Sequence, residues 1–107
     1  MNYEIIDINL FDSVDCTTDY SCFMFTAPWC AKCKVMKNIL KDISSYFSEK
    51  INFYEVSSEE ETDIHKRYFI KGIPFILVLD KNKKYIYGHY GLMENKELKL
   101  KLSEIIK

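Results

Sequence analysis

Glycine and proline are scarce in this chain, three and two among 107 residues. A collagen-like, linker-like or loop-dominated protein needs many more of both, so most of the chain belongs to regular helices and strands. A strong charge of either sign is lacking too. The formal net charge is −1, which removes the electrostatic basis for nucleic-acid binding. No apolar run approaches the roughly 20 residues that cross a bilayer. Met1-Asn2-Tyr3-Glu4 also lacks the basic and apolar blocks of a secretion signal. These absences lead to the expectation of a cytoplasmic chain with no nucleic-acid and no membrane partner.

What is present fits one globular domain over residues 1–107, with 48% hydrophobic and 29% charged residues. A disordered chain would carry fewer apolar residues and more net charge. Eight Tyr and seven Phe against a single Trp imply an aromatic-rich core.

Hydrophobic patterning divides the chain into elements. Tyr3 to Ile8 reads as a strand, and Leu10 to Asp19 as a short helix followed by a loop. Cys22 to Phe25 is a continuous apolar run, the pattern of a strand buried on both faces. After Cys33, apolar residues at 35, 36, 39, 40, 43, 46 and 47 recur at helical spacing, giving a helix to Phe47 with Val35, Met36, Ile39, Leu40 and Ile43 in the core. Ile51 to Val56 is a strand on which Ile51, Phe53 and Glu55 share a face. Ser58 to Phe69 reads as a helix with Glu59-Glu60-Glu61 in its first turn, where the macrodipole favours acids. Phe75 to Leu79 and Tyr85 to Tyr90 form a hairpin. Glu94 to Ile106 is a helix carrying Leu98, Leu102 and Ile105 on one side. Strands alternating with helices give an α/β architecture, a mixed central sheet of about five strands with helices on both faces. The last pair is antiparallel because its connection is too short for a crossover.

Four cysteines occur, at 16, 22, 30 and 33. A chain of this length builds a core without staples, so a disulfide framework is not required. Zinc usually takes four ligands. Cys16 and Cys22 have no paired spacing and His65 and His89 stand isolated, so no metal is expected. Cys22, inside an apolar run, reads as a small buried hydrophobe, and Cys16 as an incidental surface thiol. Cys30 and Cys33 are different. Three apart at a helix start, they can close a disulfide within one turn. The first thiol then sits among free N–H groups at the positive end of the helix, which stabilises a thiolate. Cys30 is therefore the expected nucleophile, and Cys33, a turn further in, the expected resolver. Trp29 and the lysines beside the pair argue for a partly open, electropositive setting.

Ala27-Pro28-Trp29-Cys30-Ala31-Lys32-Cys33-Lys34 resembles the active-site segment of thioredoxins. Gly72-Ile73-Pro74 resembles that family's cis-proline loop, and Gly91 with the terminal helix fits the same pattern. The resemblance implies a thioredoxin fold and a cis Pro74 facing the cysteines, with Ile73 presenting its backbone to an incoming peptide. It implies reduction of protein disulfides by a monomer with no cofactor beyond the Cys30–Cys33 disulfide. A thioredoxin-reductase-type protein would be the electron donor. Four residues depart from the family, Ala31 among them, standing where glycine is usual. Lys32 stands where proline is usual and adds a cation near Cys30, which favours a more oxidising pair. Met24 stands where the family has a buried aspartate, and Glu55 where the neighbouring strand usually has lysine. A buried carboxyl can relay protons near neutral pH, so Glu55 is a candidate relay. The competing readings are a disulfide oxidase or isomerase, suggested by Lys32, and a redox-regulated binding module.

Overall fold

A computed structural model describes residues 2–47 and 49–107. The expected 1–107 domain includes Met1 and Ser48, which lie outside the described residues. Five strands, β1 (Tyr3–Asp7), β2 (Tyr20–Thr26), β3 (Ile51–Ser57), β4 (Phe75–Asp80) and β5 (Tyr85–Tyr90), make one sheet in the order β1-β3-β2-β4-β5. β1 and β2 each run parallel to β3, while β2–β4 and β4–β5 are antiparallel. Helices α1 (Ala31–Tyr46), α2 (Asp63–Arg67) and α3 (Asn95–Ile105) connect or follow the strands.

The continuous apolar run of β2 has a direct cause. Alternate residues point to opposite faces. Cys22 and Met24 pack with Met36, Leu40 and Ile43 of α1 and Leu98 and Leu102 of α3. Phe23 and Phe25 pack on the other side with Phe11, Tyr54, Ile64 and Tyr68. Neither face of β2 meets water, so no polar alternation is needed.

Three expectations shift. Val35 is 52% exposed, not core. Met36, Leu40, Ile43 and Phe47 define the buried stripe of α1, and Val35 lies about 100° around the helix from Met36. The first helix is a 3-10 segment over Ile8–Ser13, starting earlier than expected because the Asp7 side chain accepts the Asn9 N–H at 2.9 Å. That cap also ends β1 one residue sooner. The largest change concerns Glu59-Glu60-Glu61, which precede α2. The Ser58 N–H still donates to the Thr26 carbonyl at 3.1 Å, and its hydroxyl donates to the Glu60 carbonyl at 2.6 Å. Those bonds commit this backbone to the end of the β2–β3 ladder and a turn. The helix begins where Thr62 supplies a cap, accepting the Ile64 N–H at 3.2 Å. It stops at Tyr68, after which Phe69 adopts a positive φ of 60°.

The cap of α2 depends on a buried histidine. Nδ1 of His65 accepts the Thr62 N–H at 3.0 Å, so that nitrogen carries no proton. Its ring packs edge-on against Phe25. Burial holds the imidazole below its ordinary pKa, with Glu61 acting in the opposite sense. The unfolded chain therefore takes up this proton at a higher pH than the folded chain, and stability rises with pH across that window. Unfolding free energy from denaturant titrations should fall as pH drops below ~6.5, the ordinary histidine value. His65→Gln should flatten that limb; an unchanged limb would assign it to other groups.

Candidate active site

β2 ends at Thr26, and the turn Ala27-Pro28-Trp29 delivers Cys30 to the N-cap of α1. The turn closes with the Cys30 N–H donating to the Ala27 carbonyl at 3.2 Å. Cys30 and Cys33 are joined in a disulfide, with Cα atoms 5.3 Å apart. The Cys33 N–H donates to Cys30 Sγ at 3.2 Å. That bond is the N-capping interaction of α1, with sulfur in the role that serine or aspartate oxygen usually takes. An N–H that caps a sulfur atom also stabilises that sulfur as a thiolate, and the dipole of a 16-residue helix points the same way. Cys30 is 8% exposed and Cys33 3%, so the first cysteine is the more accessible residue.

The expected residues separate into two clusters around the disulfide. Trp29, 71% exposed, lines a cleft of about 120 Å³ with Gly72 and Ile73. The Ile73–Pro74 peptide bond is cis. Pro74 is buried just before β4, and its carbonyl accepts the Gly91 N–H at 2.8 Å. Phe25 pairs with Phe75, so the proline precedes β4 at the edge from which the cysteine turn leaves β2. Gly91 has φ +97°, the left-handed region that glycine occupies freely. Lys32 is exposed and lines neither cavity.

The second cluster lies behind the pair. A cavity of about 160 Å³ is lined by Cys30, Cys33, Lys34, Lys37 and Glu55, among others. Glu55 is 7% exposed. It sits beside Met24 in the β2–β3 register. Its Oε1 accepts the Tyr3 hydroxyl at 2.6 Å, and its Oε2 lies 3.7 Å from Lys37 Nζ. Burial first, then the carboxylate, pushes the Tyr3 phenol up, so it remains a donor. Sequence reasoning missed Tyr3 and Lys37. Lys37 carried a signal, standing four residues after Cys33 on the same side of α1. Tyr3 carried none, because its reach depends on how β1 docks on β3.

Cys22 is fully buried, and burial pushes its thiol far above the ordinary range. Cys16 is half-buried and free. Among the described residues, no group of three or more His, Cys, Asp or Glu side chains could hold a metal ion, and no helix is long and apolar enough to cross a membrane. After mild reduction, iodoacetamide should alkylate Cys30 first, Cys16 more slowly and Cys22 only in denaturant, read by peptide mass spectrometry. Equal labelling of Cys22 and Cys30 in the native protein would contradict this burial.

Comparison with known proteins agrees with this geometry. The thioredoxin family profile matches residues 7–104. A thioredoxin of Buchnera aphidicola (Acyrthosiphon pisum) is 30% identical over 103 residues, covering 96% of this chain and 94% of its own. Thioredoxin M2 of Arabidopsis thaliana, a chloroplastic protein, is 30% identical over 60 residues, covering 56% of this chain and 32% of its own. The chain thus spans about a third of the length of that relative. The solved thioredoxin of Malassezia sympodialis superposes with a TM-score of 0.78 at 23% identity, covering 95% of this chain and 89% of that one, which shows a shared fold. A profile over nearly the whole sequence and a bacterial relative matched almost end to end give one conclusion: the chain belongs to the thioredoxin family.

Proposed function

We propose that this chain is a thiol–disulfide oxidoreductase that reduces protein disulfides. The observation that carries the reading is Cys30 Sγ at the N-cap of α1, accepting the Cys33 N–H. In the reduced protein the same donor and the helix dipole favour the Cys30 thiolate. That thiolate attacks a substrate disulfide and displaces one substrate sulfur as a thiolate. Cys33 then attacks Cys30 Sγ, releases the second substrate sulfur and restores the disulfide. Two electrons pass from the pair to the substrate, and a reductase of the thioredoxin-reductase type returns them. Trp29 and Ile73 line the cleft beside the pair and offer an apolar wall and a backbone ledge to the substrate chain.

Lys32 bears on the direction of flux. It is exposed, so its charge acts through water, where two unit charges 4 Å apart gain only about 1 kcal/mol. Its pull toward an oxidising pair is therefore weak, and the reductant reading stands ahead of the oxidase or isomerase. The protein works as a monomer, with its cysteine pair as its sole redox group. A reducing cytoplasm suits it, since Cys16 and Cys22 stay thiols there.

With dithiothreitol as donor, the protein should reduce insulin disulfides catalytically, and both Cys30→Ser and Cys33→Ser should abolish turnover. Cys33→Ser should accumulate a mixed disulfide with the substrate on non-reducing gels, whereas Cys30→Ser should trap almost none. Equal trapping by the two variants would overturn the assignment of roles.

A further inference from the structure

We propose that Glu55, held in place by Tyr3 and Lys37, is the base that takes the proton of Cys33 when Cys33 resolves the mixed disulfide. The proposal rests on the dithiol reading above and names the proton acceptor for its second step.

Resolution needs a base. Cys33 must lose a proton before it attacks, and a free thiol does so only near pH ~8.5. Cys33 is 3% exposed, so bulk water reaches it poorly. Among the described residues the cavity behind it holds one carboxyl, Glu55; its other titratable residues are Cys30, Lys34 and Lys37. Ammonium groups only donate. Met24, the β2 neighbour of Glu55, cannot titrate. Tyr3, reaching in from β1, is held as a donor by burial and by Glu55 itself. Of all groups facing the cavity, Glu55 alone is suited to receive this proton. At about 160 Å³, the cavity has room for water, at ~30 Å³ per molecule, to carry it across.

Each partner has a definite task. The Tyr3 hydroxyl donates to Oε1 at 2.6 Å, and Lys37 faces Oε2 at 3.7 Å. Together they fix the carboxylate against the back of the cysteine pair, and a carboxylate so fixed loses little entropy when it acts. The Cys33 thiol proton passes to the Glu55 carboxylate. The Cys33 thiolate attacks Cys30 Sγ, forming the Cys30–Cys33 bond and breaking the bond from Cys30 to the substrate sulfur, which leaves as a thiolate. The pair is oxidised and the substrate reduced. Glu55 returns its proton to water at the mouth beside Lys37, whose side chain is 38% exposed.

The test is rapid mixing of the reduced protein with an aromatic disulfide whose thiolate is coloured. Attack by Cys30 releases the first thiolate and resolution by Cys33 releases the second. In the wild type the second release should be nearly flat through neutrality. In Glu55→Gln it should be about 10²-fold slower near pH 7, the low end for a lost general base, and should climb with hydroxide until it meets the wild-type rate above the ordinary thiol range. The first release should stay unchanged, and Glu55→Asp should recover part of the second. Tyr3→Phe and Lys37→Met remove a donor and a cation from the carboxylate. Each should loosen the carboxylate from its place behind the pair and slow the second release while sparing the first. Equal second-phase rates for wild type and Glu55→Gln at every pH would overturn the proposal. So would equal slowing of both phases, which marks a merely structural role, and a second release of wild-type rate in both Tyr3→Phe and Lys37→Met. Absence of a second release in the wild type would instead overturn the dithiol reading.

Discussion

Burial of both faces of β2 is the constraint from which the rest follows. Phe23 and Phe25 are locked into one core layer, Cys22 and Met24 into the other. A strand held this way cannot slip, because a shift of one residue would exchange its two faces. Its C-terminal end is therefore a fixed point, and the short turn after it carries Cys30 to the mouth of α1. α1 is itself pinned to β2 through Met36, Leu40 and Ile43. Core packing thus fixes where the pair stands, while the 3.2 Å approach of the Cys33 N–H to Cys30 Sγ is a local property of the helix start.

The same constraint explains why a charge can sit behind the pair. Met24 leaves the central strand without an acid, so the α1 side of β2 is purely apolar there. The carboxyl stands one strand over, at Glu55, nearer the sheet edge, where a tyrosine from β1 and a lysine from α1 can both reach it. A buried carboxylate without such partners would be costly. The arrangement is a local trade of position between strands, and it works because parallel neighbours in register bring Met24 and Glu55 side by side.

Much of this was legible in the residues. The order of strands and helices followed from periodicity, because both faces of the sheet are covered and each helix has one buried stripe. The cysteine pair was legible because its chemistry depends on local spacing alone. Glu59-Glu60-Glu61 misled because charge preference says where acids are tolerated in a helix, whereas the Thr62 cap and the Ser58 bonds decide where the helix starts. Val35 misled because apolar residues also occur beside a stripe without belonging to it. Tyr3 was invisible because its value arises from the β1–β3 register, in which Tyr3 stands opposite Phe53 and leans toward Glu55.

The position of β1 has a consequence for motion. Among the described residues its one strand neighbour is β3, and outer strands of this kind are among the first parts of a fold to open. Whenever β1 detaches, Glu55 loses its phenol partner while the interior strands and the cysteine turn stay in place. If Glu55 serves as the base proposed above, breathing at the outer margin of the sheet is coupled to the chemistry at its centre. A tag or binding partner that tightens or loosens the first few residues would act on turnover from a distance, without touching the redox pair.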